Sequence, residues 1–250
     1  MPPTRVLLVD DDEYNLLLVR RFLPTPPFTV DTAINGRVAL GAAERQWPDV
    51  VFMDLDMPVM GGLQAVGELR TIERARLAKR CTIVALSSHD DDETRRRALA
   101  AGFDRYLTKP VTRDVIHETL LELNVLIGGA AALPVQPPTT MAVPGAAGMI
   151  DPIIIDQDVE PVLAQFMESR RQLIAGLSAA MHADNRAEVR RIAHQLAGSF
   201  ALYGFLWASE QSRWIEHNFS AIEPLKLTQL AGDLRAHLAT ADIRFTQANP

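Results

Sequence analysis

Five short apolar runs divide the first half of the chain: Arg5–Asp10, Phe28–Ala33, Asp49–Asp54, Cys81–Leu86 and Asp104–Leu107. They are rich in Val, Ile, Leu and Phe, the pattern of strands buried on both faces. Amphipathic stretches at Glu13–Leu23, Gly36–Gln46, Gly62–Arg74, Asp90–Ala101 and Thr112–Ile127 separate and follow them with helical spacing. Strand and helix in strict alternation leave little choice of fold. Parallel strands need long crossovers, and helices must cover both faces of the sheet. The expectation is an α/β doubly wound, five-stranded parallel sheet over residues 1–127.

The pattern then stops. Residues 128–152 are mostly Ala, Pro, Gly and Thr, and no charge occurs between Leu123 and Ile150. That stretch is long enough to cross a bilayer, but its prolines would leave backbone groups unsatisfied in lipid. It reads as a linker with a reach of roughly 25–30 Å, and no membrane insertion is expected. Over residues 153–250 no strand-like alternation is visible. Apolar stripes run through Val162, Phe166, Leu173, Leu177 and Met181, then Val189, Ile192, Leu196, Phe200 and Tyr203. Another runs through Leu227, Leu230, Leu234, Leu238, Ala241 and Phe245, with a shorter helix at Leu206–His217. These predict an all-α four-helix bundle, with Trp207 and Trp214 in its core.

The net charge is −6, split evenly as −3 on residues 1–127 and −3 on the rest. An acidic chain is a poor non-specific binder of nucleic acid, and no nucleic-acid partner is expected. The single cysteine, Cys81, excludes an internal disulfide and fits a cytoplasmic protein.

Asp10 and Asp11 end the first apolar run, and Asp54 ends the third. In an open parallel sheet, ligands bind beyond the carboxyl ends of the strands. With strand order 2-1-3-4-5, the first and third strands are neighbours there, and three carboxylates converge. Like charges that close require neutralising, and Mg²⁺ suits a site of few carboxylates and a phosphate. Ser87 follows the fourth strand and Lys109 the fifth, so both reach the same rim. The set describes a phosphorylatable carboxylate, with Asp54 as nucleophile.

Residues 5–127 resemble a response-regulator receiver domain. The matching residues are Asp10-Asp11, Asp54 with Met57-Pro58 and Gly62, Ser87, and Lys109-Pro110. The resemblance implies that Asp54 is the phosphoacceptor and that Asp10, Asp11 and the carbonyl of Asp56 serve the metal beside it. It also implies that Ser87 and the switch residue Tyr106 respond to the phosphoryl group. Asp54-Leu55-Asp56 is also similar to the Asp-x-Asp of haloacid-dehalogenase-type phosphatases. That motif belongs on a first strand and does not account for Asp10 and Asp11.

In the second half, a helical wheel centred on Val189 puts His194 about 140° away, on the solvent side. Arg190, Arg191, Ala197 and Gly198 are its neighbours at three and four residues. Ala193-His194-Gln195-Leu196-Ala197-Gly198-Ser199 and Gly204 resemble a histidine-containing phosphotransfer (HPt) domain. The resemblance implies that His194 is a second phosphoacceptor. The family usually has lysine where this chain has Ala197, and Arg190 or Arg191 is expected to supply that charge, with Gly198 giving room.

Together the two halves predict a two-component phosphorelay protein. No ATP-binding glycine motif is present, so it is not expected to be a kinase. A separate histidine kinase and a downstream response regulator are the expected partners, with transfer in cis or in trans. The competing expectation is an interaction switch, in which Asp54 is phosphorylated and the helical domain only binds a partner.

Overall fold

The computed structural model describes residues 3–77, 79–123 and 152–246. The chain divides into two compact units, Met1–Pro137 and Pro138–Pro250. The expected linker lies outside the described residues except for Pro152, as does the last part of the helix expected to reach Ile127.

In the first unit, strands β1 (Thr4–Val9), β2 (Phe28–Ala33), β3 (Val50–Asp54), β4 (Thr82–Ser87) and β5 (Arg105–Thr108) form one parallel sheet. Its order is β2-β1-β3-β4-β5, as expected. Helices α1 (Glu13–Arg21), α2 (Gly36–Arg45), α3 (Gly62–Ala75), α4 (Asp92–Ala101) and α5 (Arg113–Glu122) alternate with the strands. The central strand β3 is inaccessible on both faces, with Val50, Val51, Phe52 and Met53 fully buried. That is why its sequence is continuously apolar rather than alternating. Side chains of Asp12, Asn35, Asp91 and Thr112 cap α1, α2, α4 and α5, each accepting from a first-turn backbone N–H.

In the second unit, α6 (Glu160–His182), α7 (Arg186–Leu202), α8 (Leu206–Asn218) and α9 (Pro224–Thr240) are the four expected helices. Phe166, Phe200, Tyr203 and Phe205 meet in the core, with Phe166 stacked on Tyr203 at 3.7 Å. Gly204 makes the turn from α7 to α8 at a φ of +80°, and a Cβ there would stand 3.0 Å from the Ile154 carbonyl.

Two details differ from expectation. The unit is not purely helical: β6 (Ile153–Asp156) and β7 (Ile243–Thr246) pair in parallel. Each has four residues, too few for alternation to show, and Phe245 lies in β7 although its spacing continues the helical stripe. Trp207 is buried against His237 of α9, but Trp214 is 44% exposed. Among the described residues, no helix is long and apolar enough to cross a membrane.

Candidate phosphoacceptor sites

Strand register assembles the first site. Val9 pairs with Met53, so the next residues, Asp10 and Asp54, are adjacent at the rim. Asp54 pairs with Leu86 and Ser87 with Thr108, which carries the row through Ser87 to Lys109. Gly62 closes the loop after β3 by donating its N–H to the Leu55 carbonyl at 2.8 Å. A Cβ at Gly62 would lie 2.3 Å from the Asp54 carbonyl oxygen, so only glycine fits there.

At the rim, Lys109 Nζ donates to Asp54 Oδ2 at 2.7 Å and to Asp10 Oδ2 at 2.9 Å. All three side chains are buried. Asp10 also accepts from Asn15 Nδ2 and from the backbone N–H of Asp12. Burial pushes the Asp10 carboxyl up, Lys109 pulls it back, and the charge of Asp54 adds to the rise. Burial alone would lower the Lys109 pKa, but the two carboxylates more than reverse that and hold it ionised. Asp10, Asp11 and Asp54 each place a carboxylate oxygen within 4.8 Å of the others. Three carboxylates and one ammonium leave two negative charges, all on hard oxygen donors. That set fits a divalent cation such as Mg²⁺.

The rest of the rim converges on His89. Its backbone N–H donates to Ser87 Oγ at 3.1 Å. Its carbonyl accepts from the Tyr106 hydroxyl at 2.7 Å. Its imidazole stands 3.5 Å from the Asp56 carboxylate. Tyr106 is buried, and burial raises its phenol pKa; the Arg95 guanidinium covers its ring at 5.2 Å. Nothing in the local sequence around His89 marks a backbone that two side chains grip. Asp56 sits just beyond Asp54, and its N–H approaches Asp54 Oδ1 at 3.4 Å.

The second site differs from its expected form. His194 is not on an open solvent face: its side chain is 14% exposed. Nδ1 lies 3.0 Å from Glu216 Oε1 on α8. The wheel placed the ring correctly relative to its own helix but could not show that α8 covers that side. Ala197 and Gly198 are buried, and Ser209 of α8 donates to the Ala197 carbonyl, so this stretch is not an open face for an incoming partner. Arg190 lies over the Phe219 ring at 5.5 Å. Arg191 holds Glu188 at 2.7 and 2.8 Å and Gln195 at 3.2 Å. The guanidinium groups expected to face the phosphoryl group thus have a ring and a carboxylate of their own. Glu216 was missed because it is 22 residues away, and no local spacing joins residues on two different helices.

Comparison with known proteins matches both units. Residues 6–121 match the response regulator receiver domain family, and residues 161–242 match the Hpt domain family. Sensor protein GacS of Pseudomonas syringae pv. syringae is 37% identical over 118 residues, 47% of this chain. This chain spans only 13% of the length of GacS. Transcriptional regulatory protein PrrA of Mycobacterium leprae is 34% identical over 185 residues, 68% of this chain and 76% of PrrA. Among solved structures, chemotaxis protein CheY4 of Vibrio cholerae is 29% identical with a TM-score of 0.44, covering 48% of this chain and 98% of that one.

Proposed function

The chain belongs to the response regulator receiver domain family and carries an Hpt domain after it, and from that premise we propose that it is a phosphorelay protein with two acceptors, Asp54 and His194. The observation that carries this reading is the grip of Glu216 on His194. An ionised carboxylate only accepts hydrogen bonds, so the neutral imidazole keeps its proton on Nδ1. The lone pair is then on Nε2, the nitrogen that would attack the phosphorus. A histidine that merely filled a binding surface would have no need of a fixed tautomer. This favours relay over the interaction switch.

At the receiver site, the Asp54 carboxylate attacks the phosphorus of a phosphohistidine. An O–P bond forms as the N–P bond breaks, and the electron pair returns to the imidazole. Lys109, already 2.7 Å from Asp54, stabilises the charge that develops on the phosphoryl oxygens. Asp10, Asp11, Asp54 and the Asp56 carbonyl would hold Mg²⁺, which supplies further positive charge when bound. Ser87 accepts from His89, which leaves its own proton to donate to the phosphoryl group. Ser87 and Tyr106 hold the same residue, so movement of the Ser87 hydroxyl is passed to the ring through His89. At the Hpt site, His194 Nε2 attacks the phosphorus of a phosphoaspartate. An N–P bond forms, the O–P bond breaks, and the pair returns to the carboxylate.

The donor is a separate histidine kinase, the downstream partner a response regulator, and the compartment the cytoplasm. The experiment is to incubate the full chain with Mg²⁺ and a phosphorylated histidine kinase. Base-labile phosphate that is lost in Asp54→Asn and acid-labile phosphate that is lost in His194→Gln support the relay. Base-labile phosphate alone supports the switch.

A further inference from the structure

The family's lysine three residues after the histidine is missing, and Ala197 in its place is fully buried. Two cross-helix bonds fix how α8 faces α7. Ser209 Oγ donates to the Ala197 carbonyl at 2.8 Å, and Glu216 holds His194 at 3.0 Å. Ser209, Arg213 and Glu216 are spaced by four and three residues. They therefore share one stripe of α8, within about 60° of each other. Arg213 is bracketed by the two bonds, one turn from each, so its side chain sets out beside His194 and Ala197.

The chemistry of Arg213 is unlike that of the other two candidates. Arg190 covers Phe219, and Arg191 is held by Glu188. Arg213 is half-buried, and its Nε is buried with no hydrogen-bond partner among the described residues. A buried donor left unmade costs on the order of 1–3 kcal/mol, a cost that an arriving acceptor removes. The acids near it on α8 are Glu216, which is occupied by His194, and Glu210, one turn earlier. Burial raises the Glu210 carboxyl while Arg213 lowers it. A phosphoryl group brings oxygens that match the fork of a guanidinium.

We infer that Arg213 is the cation that meets the phosphoryl group on His194 Nε2. The positive charge that the family carries on the histidine's own helix is supplied here from the neighbouring one. This inference rests on the reading of His194 as an acceptor.

The test uses the full-length chain carrying Asp54→Asn, with phosphoramidate as donor, and follows acid-labile, base-stable phosphate. Arg213→Met keeps most of the apolar stem and removes the charge. It is expected to slow phosphorylation of His194 by about 10²-fold. Arg213→Lys should recover part of the rate, and Arg190→Ala with Arg191→Ala should stay within about twofold of the parent. A second readout needs no phosphoryl group. Removing a nearby cation favours the imidazolium, so Arg213→Met should raise the His194 titration midpoint measured by NMR. An unchanged rate and an unchanged titration in Arg213→Met would overturn the role of Arg213 and leave the acceptor reading intact. If the parent gains no acid-labile phosphate that depends on His194, the acceptor reading fails, and the role of Arg213 fails with it.

Discussion

Asp54 and His194 are supported by very different amounts of chain. The carboxylate takes its neighbours from the ends of three strands, and Lys109 is 99 residues from Asp10. The imidazole takes its partner from the next helix, 22 residues on. The chemistry explains the difference. A carboxylate that accepts a phosphoryl group brings like charges together, so cations must be gathered around it before the reaction. An imidazole reacts as a neutral base, and its first need is a lone pair on the right nitrogen. One site collects charge, which only a completed sheet can do. The other, in the proposed relay, sets a tautomer, which a helical hairpin can do.

The contrast can be broken most directly by removing each proposed acceptor. Asp54→Asn should abolish base-labile phosphate and His194→Gln acid-labile phosphate, each read by differential hydrolysis after incubation with donor. Next comes the hairpin. Glu216→Ala releases the ring, and the rate at His194 should fall by about 10- to 100-fold, the range found for partners that orient metal-ligating histidines. Glu216→Gln retains a carbonyl acceptor and should lose less. If both variants kept the parent rate, tautomer control would not be what this site provides.

A smaller effect is expected where backbone rather than charge sets the receiver site. Gly62→Ala forces a methyl group against the Asp54 carbonyl and should cost about 1–3 kcal/mol in denaturant unfolding. The smallest effect concerns charge crowding. The folded pKa of Asp10 is raised above its ordinary value. Its stabilising contribution is therefore complete below the unfolded carboxyl range and is lost as pH rises through the folded value. In metal-free buffer at neutral pH, Asp10→Asn should raise the melting temperature by a few degrees. Saturating Mg²⁺ should reverse the order by stabilising the parent alone, as calorimetry would show.

What could be read from the sequence follows the same division. The receiver site was legible although its parts are far apart, because each part ends an apolar run and a parallel sheet brings such ends to one rim. The place of Lys109 at the rim followed from that rule, whereas the strand order was a condition that the sheet meets. The His194 site was legible only along its own helix. Glu216, the burial of Ala197 and the diversion of Arg190 and Arg191 all depend on how α8 packs, and helical periodicity carries no record of which helix packs on which. Strands β6 and β7 escaped for another reason. Each is four residues long, and neither has a neighbour in sequence to announce the pairing.

That pair also sets where the helical unit can be cut. Ile153 and Ile155 of β6 are buried, and the Ile153 N–H donates to the Asp242 carbonyl, just before β7. A fragment spanning only the four helices would lose two isoleucines from the interior and the strand that Gly204 packs beneath. An excised unit that is to keep the hairpin in place must therefore begin ahead of Ile153 and run through Thr246. Trimming to the helices would disturb the Gly204 turn that ends the helix carrying His194, without touching a residue of the site.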